Sequence, residues 1–130
     1  MEKIKKSILK IFLFACLGLT LTTITFARMG GKAPGPPGRP EATNIHRFGC
    51  RLTYLAPLDD GGAPIQQYHI EIRTDWDKTW IFKGKTPFLE YDVDGMFGGT
   101  EAEFRVLAEN EFGKSEPSKP CKVIEFTDPF

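Results

Sequence analysis

The chain is predicted to be all-β, a seven-stranded antiparallel sandwich preceded by a hydrophobic leader. Three observations carry this expectation. Past residue 40 the apolar residues recur with a period of two, the period of a strand with one buried face. Clusters of Gly, Pro, Asp and Asn break that pattern roughly every eight to twelve residues, the spacing of a sandwich or barrel. The segment left after residue 33 has the size of a two-sheet domain, about 95 residues, and buries enough surface to fold without a disulfide.

The leader comes first. Lys3, Lys5, Lys6 and Lys10 against Glu2 give residues 1–27 a net charge of +3, and Ile11 to Ala27 is an uncharged run of 17 residues. Small residues at Thr25 and Ala27 suit cleavage between Ala27 and Arg28, so the segment reads as a secretory signal. The run is at the short limit for crossing about 30 Å of hydrocarbon. A retained signal anchor and a misassigned start exon are the alternatives. Because the whole chain is formally neutral, a balance of −3 is left for the rest, which gives no electrostatic footprint for nucleic acid.

Residues 28–39 are expected to be a linker. Gly30, Gly31, Gly35 and Gly38 with Pro34, Pro36 and Pro37 build neither a helix nor an inner strand, since proline lacks a donor and glycine loses much entropy on ordering. Two Gly-X-Y triplets are too few for a collagen helix.

Strands follow over 40–125. Cys50, Leu52 and Tyr54 alternate with Arg51 and Thr53. Tyr68, Ile70 and Ile72 alternate with His69, Glu71 and Arg73. Phe104, Val106 and Ala108 alternate with Arg105 and Leu107. The expected strands are A over 40–46, B 49–56, C 65–73, C′ 79–83, E 88–93, F 101–109 and G 115–125, with residues 126–130 as a C-terminal joint. The turns between them are Asp59-Asp60-Gly61-Gly62, Asp92 to Gly99, and Asn110 to Gly113.

These residues resemble a known family. Leu52 and Tyr54 followed by Pro57-Leu58-Asp59-Asp60-Gly61-Gly62, then Tyr68, Ile70, Trp80, Val93 and Phe104-Arg105-Val106 with Ala108, Asn110 and Gly113, look like a fibronectin type III domain, an immunoglobulin-like sandwich. The leading PGPPG and the SEPS after the last hairpin are similar to the domains strung along titin, twitchin and related giant muscle proteins. The resemblance implies a core of Leu52, Tyr54, Tyr68, Ile70, Trp80, Val93, Phe104, Val106 and Ala108. It also implies opposite sheets for the strands that bear Cys50 and Cys121, which leaves two thiols as the main expectation and a bridge as the lesser one. Two positions depart from it: Tyr54 stands where the family usually has Trp, and Ala102 where it has a Tyr that pins the E–F corner. A large aromatic reduced to Ala typically costs about 3–5 kcal/mol, so a weakened corner, partly filled by Met96 and Phe97, is expected. Ala102→Tyr should then raise the melting temperature.

Residues that carry chemistry are sparse. His46 and His69 each stand alone, and both read as solvated. Asp92, Asp94 and Glu103 lack the turn glycine and intervening oxygen ligand of a calcium loop, because Met96 and Phe97 stand there. Asp59 and Asp60 splay apart in a tight turn instead of pairing as acid and base. There is no nucleophile with a partner base, so no enzyme, cofactor or metal is expected. What remains is surface for other proteins. Trp76 in the polar C–C′ loop is the candidate anchor, although it reads first as a ring folded over its own sheet. Arg73 and Arg105 read as a charge ladder with Glu71 and Glu103, and secondarily as a partner site. The expected function is a non-catalytic module that spaces and docks neighbours in an array, with a free-standing secreted or cell-surface binder as the alternative. The leader points to export and the resemblance to a myofibrillar setting. A membrane contact is expected only if the leader is an uncleaved anchor.

Overall fold

Period-two burial positions the core. A computed structural model describes residues 30–129, so the expected signal segment and the cut between Ala27 and Arg28 lie outside the described residues. The strands are β1 (Glu41–His46), β2 (Gly49–Thr53), β3 (Gln67–Thr74), β4 (Ile81–Thr86), β5 (Glu90–Val93), β6 (Glu101–Asn110), β7 (Gly113–Lys114) and β8 (Ile124–Glu125). They form an antiparallel sheet of order β1-β2-β5 and a second of order β4-β3-β6-β7, with β8 also on β6. The all-β antiparallel class is the one expected, with eight strands among the described residues where seven were expected, and Cys50 on β2 and Cys121 bonded to β6 belong to opposite sheets.

Alternate residues of β2, β3, β5 and β6 meet between the sheets. Leu52, Ile70, Phe104, Val106 and Ala108 are completely buried, and Tyr54, Tyr68 and Val93 nearly so. Tyr54 fits a site where a larger ring was expected by packing at 5.2 Å on Tyr68 and donating its hydroxyl to the Phe88 carbonyl at 2.7 Å. Trp80 departs from the expectation that it belongs to the core. It precedes β4 on the outer face, half-buried, because the edge strand it introduces turns residues 80 and 82 away from the sandwich.

The last predicted strand is broken. Pro117 and Pro120 lack N–H groups, so residues 115–123 make no regular ladder. Every third residue substitutes for it. Ser115, Ser118 and Cys121 donate their N–H groups to the carbonyls of Ala108, Val106 and Phe104 at 2.7–2.9 Å. Their side chains accept the N–H groups of the same three residues, Ser115 Oγ at 2.9 Å, Ser118 Oγ at 3.0 Å and Cys121 Sγ at 3.2 Å. β6 is thus satisfied by side-chain oxygen and sulfur where carbonyls would normally stand.

A threefold period also governs the Pro/Gly segment, which is docked and not a free linker from Lys32 onward. Lys32, Gly35 and Gly38 donate to the carbonyls of Gly61, Asp59 and Leu55, each at 2.9 Å, while Pro34, Pro37 and Pro40 are buried. Three residues per turn is the period of a polyproline helix, whose prolines need no donors. Gly61 makes the approach feasible: its φ is +78°, and a Cβ there would collide with the Lys32 carbonyl. Asn110 ties the parts together, donating to the carbonyls of Lys32 (2.8 Å) and Asp60 (2.7 Å).

The corner at Ala102 is filled from the C-terminus. Ala102 pairs with Ile124, which places Phe126 opposite Thr100 on the same inner face. Phe126 is completely buried, and its ring meets Phe104 edge-to-face at 6.3 Å. Ala102, two residues before Phe104 on β6, is itself 1% exposed in the same core. Met96 is buried as well, whereas Phe97 is 76% exposed and fills nothing.

Candidate functional site

β-sheet register builds the most organised surface. Arg73 lies opposite Glu103, and Glu71 opposite Arg105, on the outer face of β3 and β6. Arg73 Nε donates to Glu103 Oε1 and Arg105 Nε to Glu71 Oε1, both at 2.6 Å. Trp80 lies between the two arginines, with guanidinium carbons 4.6 Å and 4.5 Å from its ring centroid. Each guanidinium therefore has a carboxylate and a π-face. The ladder is a partly exposed platform whose charges are already met from within.

Trp76 belongs to a different place. It is 65% exposed, so the fold-back onto its own sheet is not what the structure shows. Its loop is ordered from beneath: Asp77 Oδ1 accepts the Thr79 hydroxyl at 2.5 Å and the Thr79 N–H at 3.0 Å. The hydroxyl first, then the amide, hold the Asp77 carboxyl below the usual aspartate range. Trp76 is thus a large ring on a braced loop, apart from the Arg73–Trp80–Arg105 stack.

Other reactive groups are occupied or sealed. Asp59 and Asp60 cap the amides of Gly61 and Gly62 at 2.8 Å, the turn role expected of them. The Gly61 amide, with Lys32 beside it, holds Asp59 below its ordinary range. Cys50 and Cys121 are free thiols, both buried. Burial, with Cys121 and Asp92 nearby, pushes the Cys50 thiol up to about 12, and burial raises Cys121 too. Neither is a nucleophile at neutral pH. Among the described residues no three His, Cys, Asp or Glu side chains come together as a metal site.

Sequence reasoning missed three surface features. His69, expected in solvent, is 8% exposed beneath Phe82, ring centroids 6.1 Å apart, with Nε2 3.4 Å from Glu109 Oε1 and neither nitrogen hydrogen-bonded. The signal was Phe82 itself, an aromatic on the edge strand β4 beside β3. Phe48 and Phe97 are likewise exposed, at 58% and 76%. They fall in turns, where alternation carries no information about facing.

This fold and these surfaces define a class of all-β, immunoglobulin-like modules. No family model matches the chain. The Titin homolog of Caenorhabditis elegans is 34% identical over 91 residues, covering 70% of this chain and 0% of that protein. Myosin light chain kinase, smooth muscle, of Gallus gallus is 32% identical over 93 residues, 71% of this chain and 5% of that protein. Contactin-6 of Rattus norvegicus is 34% identical over 100 residues, 69% and 10%. The chain thus spans a tenth or less of these curated relatives. Among solved structures, titin module A71 from human cardiac muscle superposes with a TM-score of 0.68 at 31% identity, covering 74% of this chain and 95% of that one. Domains A168–A170 of titin give 0.73 at 33% identity, covering 75% and 34%. The chain belongs to the fibronectin type III modules, of the kind found in titin and twitchin.

Proposed function

We propose that this chain is a non-catalytic module that spaces and docks its neighbours in a tandem array of the titin kind. The observation that carries the reading is that the same domain recurs in relatives of which it spans 0% to 10%. Geometry supports it, since the chain is held firmly at both ends of the sandwich. Lys32 is held where it comes in, by Gly61 and Asn110, and Asp128 where it leaves, by Arg47 at 2.9 Å. Reactive groups are engaged within the fold, as above, which suits a part whose work is mechanical and adhesive. The transcript downstream of Phe130 is the test. A further fibronectin or immunoglobulin module in frame supports the array, and an authentic stop there overturns it.

A second reading has one observation in its favour, the 65% exposure of Trp76. A free-standing secreted or cell-surface binder would use that ring as its anchor. Pull-downs with wild type and Trp76→Ala decide between the two. A partner lost on substitution favours the binder; equal recovery with both, or no partner, favours the spacer. Location follows the same division, export with the leader or a myofibrillar setting without it.

A further inference from the structure

One side of the larger sheet is open at β4. This strand ends the order β4-β3-β6-β7, so its backbone is bonded to β3 on one side only. Among the described residues no other backbone–backbone bond reaches Ile81–Thr86. A row of unpaired N–H and C=O groups of this kind is a template for a further strand. Its surroundings are basic. From Lys78 to Leu89 the chain carries three lysines and no acidic residue. Among the described residues Lys78, Lys83 and Lys85 enter no ion pair, whereas Arg73 and Arg105 on the same sheet are each met by a carboxylate. Apolar surface accompanies the charge, since Ile81 is 49% and Phe82 60% exposed. Being consecutive, the two project to opposite sides of the strand.

We propose that the free edge of β4 receives an acidic, extended segment of another protein as an added strand. Backbone groups of β4 supply the ladder, and Lys83 and Lys85 choose the partner. A second copy of the chain is a poor occupant, because two β4 edges laid side by side set lysines against lysines. The same charges attract an acidic strand. The carboxylates already on the outer face do not oppose it, since Glu71 accepts from Arg105 and Glu109 from Gln67. Register steps at Lys83, where Phe82 faces Glu71 but Gly84 faces Ile70. The step keeps any added ladder short, so its selectivity rests on charge more than on length. An anionic lipid surface would meet the lysines and the exposed rings, yet it would leave the β4 backbone groups unpaired. A strand satisfies all three. Such docking needs no neighbouring module, so it stands apart from the array reading.

The experiment titrates the isotope-labelled chain with a capped peptide of alternating Glu and Val, about six residues long, the usual length of a strand. The expected result is that the NMR amide signals of Ile81–Thr86 shift and that their hydrogen exchange slows. Two further peptides carry N-methyl groups on alternate residues, in one register or the other. Only one of them is expected to lose binding, because alternate N–H groups of an added strand face β4. Lys83→Glu combined with Lys85→Glu is expected to weaken binding by about tenfold or more, and raised salt to weaken it with the wild-type chain. A melting curve checks that the double variant is folded, and the N-methylated pair decides the matter on the wild-type chain whatever that curve shows. Unshifted Ile81–Thr86 signals overturn the proposal. So does equal binding of a peptide with Lys in place of Glu, or of both N-methylated peptides. Phosphatidylserine vesicles that shift these amides when the acidic peptide does not would assign the edge to a lipid surface and overturn it as well.

Discussion

Phe126 shows how one side chain decides the strength of a corner. Residue by residue, Leu52, Tyr54, Phe104 and their alternating neighbours were legible in the sequence, because inward facing follows from parity along a strand. Phe126 was not, because it follows a proline-broken tract that erases parity. Its ring is completely buried against Phe104, and Ala102, two residues before Phe104 on β6, is 1% exposed in the same core. The structure therefore reverses the expectation that Ala102→Tyr stabilises. Overpacking of a filled core costs about 1–3 kcal/mol, and the melting temperature of that variant is expected to fall. Phe126→Ala is expected to lose about 3–5 kcal/mol, the cost of removing a buried aromatic. Urea unfolding of both measures the pair, and a neutral Phe126→Ala would show that the corner is held by backbone bonds alone. Trp80 was misread for a different reason. Its place in the core was what the family resemblance implied, but two arginines in register across β3 and β6 offer its ring a platform outside.

At the scale of elements, the two proline-containing tracts obey one rule that period-two reading cannot see. Residues 32, 35 and 38 donate to one end of the domain, and residues 115, 118 and 121 to β6. Composition marks both tracts as unable to form a strand, and that much is correct. It does not reveal that a threefold extended chain can still dock by every third amide. In the C-terminal tract the residue type at the contact matters, since Ser115 and Ser118 each supply the acceptor for a buried β6 amide. Ser118→Ala leaves the Val106 N–H without a partner, and an unsatisfied buried donor costs about 1–3 kcal/mol. Lys119→Ala, one residue on and in a solvent-facing position, is expected to change stability by less than about 0.5 kcal/mol. Chemical denaturation of the two variants separates a specific side-chain ladder from a general cost of altering the tract. Equal effects would mean that the serine hydroxyl is dispensable.

For the whole molecule, the question is where the domain begins, because that fixes what an array of such modules can do. Pro/Gly composition from residue 28 to 39 suggests a free linker, which would let neighbours swing independently. The docked course of residues 32–40 removes that freedom from Lys32 onward. Three backbone hydrogen bonds at about 0.5–1.5 kcal/mol each hold that segment, and three prolines are buried under it. Removing it would also strip Asn110 of one acceptor and uncover the turn at Gly61. A chain begun at Glu41 is therefore expected to be less stable than one begun at Gly30 by roughly 2–5 kcal/mol, the sum of those bonds with some burial. In thermal unfolding this is a fall of many degrees for a domain of this size. The two chains differ only in the segment tested, and the wild-type cooperativity of unfolding is the control. Equal melting temperatures would make residues 30–40 a linker after all.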